Sequence, residues 1–355
     1  MRRIYLIRHA EPDFPGGVWR CIGSGTDYPL SKLGREQAAK LVPGFDGMEL
    51  GSLWTSPLAR ARETAALLSD DRWDVHLHRD LREISVGAWE GLTKDEARTR
   101  YAGRWAEREH DMSLPPTDGE PYAEAAVRFE AALREILDKT TGDIAVVAHS
   151  GVNSAFFCRV TGTPIGQWPT FKQDYASVSV LDFEDGRFTL RACGRDAGAL
   201  PDENERERLW RESGTPAHVY RHCLAVRDTA LELAARLPVG TIDRDLLAAA
   251  AELHDLYRLE KSHAACCADR LRGMGYLRLA AVIAPHHGGL YHDRIDEAAL
   301  LFLADKYRDG EALVSIEDRF EKSRAKLHSP AAEAAHAARY AEAKAVEARY
   351  RALSE

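Results

Sequence analysis

Long apolar runs are missing from this chain: none of its segments stays hydrophobic over the ~20 positions that a bilayer-crossing helix requires. Membrane spanning is therefore not expected. Met1-Arg2-Arg3 begins as a secretion signal begins, but only four apolar residues follow before Arg8, so export is not expected either. Cysteine is sparse. Cys21, Cys158, Cys193, Cys223, Cys266 and Cys267 fall at no spacing of a disulfide framework or thiolate zinc site, and the expectation is a reducing cytoplasm. Basic excess is lacking as well: 48 Lys and Arg stand against 56 Asp and Glu, a net charge of -8. That leaves no broad electrostatic footprint for nucleic acid, and a small phosphorylated metabolite or nucleotide is the anionic partner to expect.

What is present is an ordinary globular composition, 45% hydrophobic and 29% charged, on 355 residues, enough for two cores. The unbroken apolar run Ile4 to Ile7 stops at Arg8 and His9. Such a run reads as a strand buried on both faces, as in a parallel sheet, whose polar successors emerge at the carboxyl edge where α/β proteins bind ligands. Asp143 to Ala148 repeats the pattern and ends in His149. Between them Ser52 to Thr55 reads as a strand, followed by Ser56 as N-cap, Pro57 at the first helical position and Arg60 in the opening turn. A cation there adds to free backbone N–H groups that already favour phosphate. Arg62 reads as a solvated charge. Gly16-Gly17 and Gly23-Ser24-Gly25 mark a mobile loop, Ser31 caps a helix from Lys32, and Tyr122 to Leu137 is helical. Trp73 to Leu77, Ser177 to Phe183 and Arg187 to Cys193 read as strands, the last two joined by an Asp185-Gly186 turn. Glu83 and Glu90 fall in a loop-like segment where exposed carboxylates are ordinary.

Four stretches in order, LIRHAEP (Leu6 to Pro12), SPLARARETA (Ser56 to Ala65), LREISVGAWEG (Leu81 to Gly91) and VVAHSGV (Val146 to Val152), carry a family likeness. By them residues 1 to 195 resemble the histidine phosphatase superfamily, the phosphoglycerate mutase-like fold. The resemblance implies His9 as a nucleophile that forms a phosphohistidine, Arg8, Arg60 and His149 as the groups binding the transferring phosphoryl, and Glu83 as proton donor to the leaving oxygen. Phosphoryl transfer asks mainly for positioning and neutralisation of the equatorial oxygens, which two guanidinium groups and an imidazole supply without a cofactor. Ala10 and Ser150 stand where many members carry glycine, variants that occur in phosphatase branches. The loop Cys21 to Ser31, with the run Arg8 to Pro12, is similar to the α-ribazole phosphatase-like branch. The long insertion expected of the mutases is lacking between Glu83 and His149, so hydrolysis is expected, with mutase-type phosphoryl transfer as an alternative.

Gly194 to Asn204 is polar, bears Gly and Pro and has no periodicity, which predicts a linker over 200–213 between a domain at 1–199 and another at 214–355. Past it strand signals vanish and everything reads as helix. Pro216 to Leu237 carries an apolar face of Val219, Cys223, Val226, Ala230 and Leu233 onto which His222 projects. The helix from Asp243 turns Leu247, Ala250, Ala251 and His254 to one side, with Asp255 beside them, and Ile295, Ala298 and Phe302 define a face whose next inward position is Asp305. Buried carboxylates are costly unless compensated, so three helices turning ligand types inward ask for a common cause, and a divalent metal is the economical one.

Taken in order, His222, His254-Asp255 and Asp305 make residues 214 to 325 similar to the HD superfamily of metal-dependent phosphohydrolases. The resemblance implies His263 and the pair His286-His287 as ligands of a second metal, and nitrogen and oxygen ligation suits iron, manganese, nickel, cobalt or zinc. Arg258, Lys261, Lys306 and Arg319 are candidate phosphate contacts, or equally solvated charges. Ser329 to Leu353 is an Ala-rich helix with a thin stripe of Tyr340, Val346, Tyr350 and Leu353, expected to pack on the bundle or on a second subunit, with no chemistry of its own. The expected fold is an α/β sandwich, a mostly parallel sheet with helices on both faces, followed by a separate all-α HD-type helical domain. The expected function is bifunctional phosphohydrolysis, or alternatively a phosphatase regulated by a non-catalytic nucleotide-binding HD module.

Overall fold

The computed structural model describes residues 1–287, 294–324 and 327–354. It divides into two compact units, Met1–Gly198 with Gly273–Gly275, and Ala199–Arg272 with Tyr276–Glu355.

In the first unit, β1 (Arg2–Arg8), β2 (Leu50–Thr55), β3 (Val75–Leu77), β4 (Asp143–Ala148), β5 (Val178–Glu184) and β6 (Arg187–Arg195) form one sheet in the order β3-β2-β4-β1-β5-β6. β1 to β4 are mutually parallel, and β5 and β6 extend the sheet antiparallel through a turn in which Asp185 and Gly186 both have positive φ. Helices are α1 (Lys32–Ala39), α2 (Ala59–Ser69), α3 (Lys94–Arg100), α4 (Ala102–His110), α5 (Tyr122–Lys139) and α6 (Ser150–Thr161). Alternation along the buried strands feeds both faces. Ile4, Leu6, Ile144 and Val146 join the core built with Phe129, Leu133 and Phe156 of α5 and α6. Tyr5 points the other way, edge-on to Phe45 at 5.5 Å. Ser31 caps α1 as the sequence predicts, accepting from Gly34 N–H at 2.9 Å.

Ser56 does not cap α2. The helix begins at Ala59 with Leu58, in extended conformation, as N-cap, and Ser56 instead donates its N–H to Val147 O at 3.0 Å. Arg60 nevertheless keeps its place in the first turn.

The second unit is helical: α7 (Glu203–Ser213), α8 (Ala217–Ala234), α9 (Arg244–Leu253), α10 (His263–Gly273), α11 (Leu277–Ile283), α12 (Glu297–Lys306), α13 (Ile316–Arg324) and α14 (Pro330–Ser354). α12 is the hub. Ala299 through Lys306 are buried without interruption, as expected of a helix that is apolar all round, and α8, α9, α11 and α14 pack against it. Two readings need correction here. Most of the stretch from 200 to 213 is helix α7, capped by Asp202, which accepts from Glu205 N–H at 2.8 Å. Its charged surface hid a narrow inner side, where Leu209 is buried and Trp210 donates to Glu252 O at 3.2 Å. Strand is also not absent: β7 (Arg308–Asp309) and β8 (Ala312–Leu313) pair around Gly310, which has φ 62, a hairpin too short to leave a pattern.

Candidate functional site

Parallel register builds the first site. Arg8 pairs with Ala148 and Thr55 with Val147, so the residues that follow these strands, His9, Ser56 and His149, leave the sheet side by side at its carboxyl edge. The His9 and His149 rings lie 5.0 Å apart, and both are buried. His9 Nδ1 lies 2.7 Å from Ala10 O, so it is the donor and Nε2 keeps its lone pair. His149 Nε2 lies 2.7 Å from Ser56 Oγ. Burial foremost, then the Arg60 and Arg8 charges, hold the His9 imidazole well below the usual histidine range, and the same burial with Arg60 and His9 does so for His149. Both rings are therefore neutral.

The guanidinium of Arg8 sits 3.9 Å from the centroid of the Tyr175 ring and donates to Gln173 O at 2.5 Å. Arg60, fully buried, donates to Thr26 O at 2.8 Å and Gly23 O at 3.0 Å. Arg8 Nε, Arg60 Nε and His149 Nδ1 are buried with no hydrogen-bond partner. Unspent donors on two cations beside neutral imidazoles suit a tetrahedral oxyanion. Glu83 accepts from Gly151 N–H at 3.0 Å and Val152 N–H at 2.8 Å in the first turn of α6, directly after His149.

All five residues singled out for the first half thus meet at one sheet edge, and Arg62 is exposed. Three more were not read from the sequence. Tyr175 carries no local signal, and the partner of Ser56 lies 93 residues away. Glu90 looked like an ordinary surface acid, yet it accepts from Gly23 N–H and Gly25 N–H at 3.0 Å and from Thr26 Oγ at 2.5 Å. The loop read as mobile is thereby tied down, and its carbonyls are the ones that hold Arg60.

In the second unit, His222 comes from α8, His254 caps the end of α9 with Asp255 next to it, His263 opens α10, His286 and His287 follow α11, and Asp305 lies in the last turn of α12. Their ligand atoms gather into two groups, His222 with His254 and Asp305, and Asp255 with His263, His286 and His287, each within 4.8 Å. Nδ1 of His222, His254 and His286 each donates to a backbone carbonyl at 2.8 Å, of Gly310, Ala251 and Ile283 respectively. This fixes the tautomer and turns Nε2 into the group, the second-shell arrangement that ligating histidines use. His222 Nε2 lies 3.2 Å from Asp305 Oδ1, and His263 Nε2 lies 2.9 Å from Asp255 Oδ1. The ring nitrogens of His263 and His287 face one another.

Asp255 stands between the groups: Oδ2 is 3.8 Å from His254 Nε2, and Oδ1 is 3.5 Å from His286 Nε2. Burial lowers the His254 imidazole to about 4. Burial would raise the Asp255 and Asp305 carboxyls, but His254 and His263 around the one, and Lys306 and His222 around the other, hold both far below the ordinary carboxylate range. His254 is thus a lone-pair imidazole beside two ionised carboxylates, His222 is raised against its burial by the Asp305 carboxylate at its Nε2, and His254 Nε2 and His286 Nε2 are buried without a hydrogen-bond partner. That donor set fits a divalent cation. Lys306 and Arg319 flank Asp305 at 2.7 and 3.5 Å, and Arg258 Nη1 lies 2.8 Å from His263 Nε2.

Comparison with known proteins agrees with both halves. The family model described as histidine phosphatase superfamily (branch 1) matches residues 4–196, and that described as HD domain matches residues 219–309. Over 189 residues the chain is 32% identical to 2-carboxy-D-arabinitol-1-phosphatase of Triticum aestivum, spanning 51% of this chain and 37% of that protein. Over 204 residues it is 30% identical to adenosylcobalamin/alpha-ribazole phosphatase of Escherichia coli (strain K12), spanning 55% and 97%. Among solved structures, mycobacterial glucosyl-3-phosphoglycerate phosphatase complexed with VO3 superposes with a TM-score of 0.50 at 26% identity, covering 55% of this chain and 100% of that one.

Proposed function

Since the chain belongs to the histidine phosphatase superfamily, branch 1, through residues 4–196, we propose that its first unit hydrolyses a small phosphomonoester by way of a phosphohistidine at His9. In this reading His9 Nε2 attacks phosphorus as the bond to the ester oxygen breaks, and that oxygen takes a proton from Glu83. Water then returns a proton to Glu83 and attacks phosphorus, releasing phosphate and restoring His9. Arg8, Arg60 and His149 neutralise the equatorial oxygens throughout. The observation that carries this is the commitment of His9 Nδ1 to Ala10 O, which leaves a neutral Nε2 5.0 Å (ring to ring) from His149. The name of the Escherichia coli relative makes an α-ribazole phosphate-like ester the first substrate to try. His9→Ala tests the assignment: phosphoenzyme trapping and phosphate release should both vanish with the fold intact, and wild-type turnover would remove His9 from the role.

For the second unit, the buried, unpartnered Nε2 atoms of His254 and His286 support a centre for divalent ions. His222, His254 and Asp305 would hold one ion, and Asp255, His263, His286 and His287 another. A divalent ion there supplies Lewis acidity toward a phosphoryl oxygen. Arg258, Lys306 and Arg319 would orient the phosphate, and the centre would hydrolyse a phosphate ester or nucleotide. Elemental analysis of the double variant His254→Ala, Asp255→Ala tests the ligand set: metal content should drop, and an unchanged content rejects it.

A further inference from the structure

α13 and α14 lie beyond the segment that matches the HD domain, which ends at residue 309, yet they wall a cleft that opens onto the two histidine and aspartate groups. The cleft holds about 620 Å³, and the buried Asp255 and Asp305, with the half-buried His222, line its inner end. That volume suits a ligand of nucleotide size.

Its charge is unlike that of the chain. The whole protein carries -8, but five cationic side chains line this cleft against three carboxylates, Asp255, Asp305 and Asp309. The cations stand at two stations. Arg258, Lys306 and Arg319 sit at the inner end, against Asp255 and Asp305. Lys322, one turn beyond Arg319 on α13, pairs with the partly exposed Asp309, and Arg339 reaches in from α14. Arg339 is exposed and makes no ion pair with a described residue. Exposed pairs such as Lys322 with Asp309 are weak and exchange readily for a better anion. A monophosphate would occupy the inner station alone and leave the outer one facing water.

We propose that this cleft selects organic bisphosphates, one phosphate at the inner station and the second held by Lys322 and Arg339. The proposal rests on the metal-centre reading for the inner phosphate only; the outer station is a property of α13 and α14. Binding then follows charge-assisted hydrogen bonds to the second phosphate, available to no monoester.

The test uses the full chain carrying His9→Ala, so that the first unit cannot turn ligands over, supplied with Mn2+ and assayed for metal content. Adenosine 5′-monophosphate and adenosine 3′,5′-bisphosphate are titrated by calorimetry. The bisphosphate should bind tighter by about tenfold or more, the worth of one or two charge-assisted bonds. Lys322→Ala with Arg339→Ala, both on the protein surface, should abolish that preference and leave metal content unchanged. Metal-loaded protein that binds the two nucleotides equally, or whose preference survives the double variant, overturns the proposal and spares the metal centre. A preference that persists in protein holding no metal, and is lost in the double variant, supports the outer station and overturns the metal reading. Loss of both overturns both.

Discussion

Glu90→Gln separates a loop held for Arg60 from a loop that merely lies beside it. Three donors converge on the Glu90 carboxylate, Gly23 N–H and Thr26 O–H on Oε2 and Gly25 N–H on Oε1. Glutamine keeps the shape but offers one oxygen, and its NH2 must face at least one N–H donor. Hydrogen bonds to charged groups contribute ~1.5–3 kcal/mol each, so the loop loses at least one such bond and gains a donor opposite a donor. Arg60 takes the loss second-hand, because its two terminal nitrogens are held by the carbonyls of Gly23 and Thr26 and the side chain is fully buried. If that loss reaches the phosphoryl site, kcat/KM should fall by about 10- to 100-fold. The loss should appear as a lower kcat and not only a higher KM, because Arg60 is assigned to the transferring group. The assay is phosphate release from p-nitrophenyl phosphate, with a thermal melt to check that the unit is folded. A folded variant within about twofold of the parent would show that Arg60 holds its position without the loop, and the reasoning would fail.

Gly151→Ala would set a Cβ 2.8 Å from Glu83 Oε1, so the carboxylate must move; turnover of alkyl phosphates should drop far more than that of p-nitrophenyl phosphate, whose leaving group needs no proton, and equal losses would take Glu83 out of the proton donor's role. Because burial and the two arginines depress the His9 pKa below 6.5, the nucleophile stays neutral as pH falls past that value, and the acid limb of kcat/KM should lie below it; a limb at or above 6.5 contradicts the assignment. The same depression at His9 and His149 makes the unfolded chain bind more protons below pH 6.5, so the denaturation midpoint of the first unit should fall as pH drops through and below 6.5, and a constant midpoint refutes the linkage. Chelation should lower the melting temperature by removing about 2.7 kcal/mol if the ion was present at a hundredfold excess over its Kd, while phosphoenzyme trapping at His9 persists; parallel loss of both would mean that the first site also depends on metal.

Strands buried on both faces, the terminal His9 and His149, and the capped α1 were legible in the sequence because each follows from a local rule of periodicity or capping. The same holds for the inward positions of His222, His254 and Asp305, since helical spacing alone turns them toward one side. Ser56 was misread because two local signals, cap and proline, pointed to a helix start, while the tertiary register kept the residue in line with β4. α7 was misread because its polar sides outnumber its inner one.

Residue order alone therefore determined which side chains end each strand or face the bundle, since backbone periodicity is a short-range property. Which of them share a pocket was decided only by the folded chain. The parallel pairing of β1 and β2 on either side of β4 set His9, Ser56 and His149 side by side, and the packing of α8, α9 and α12 brought ligand atoms of His222, His254 and Asp305 within 4.8 Å of one another. Glu90 acting on Arg60 and the cations of α13 and α14 lining the cleft belong to the same class, because contacts across tens or hundreds of residues leave no periodic trace in the chain that makes them.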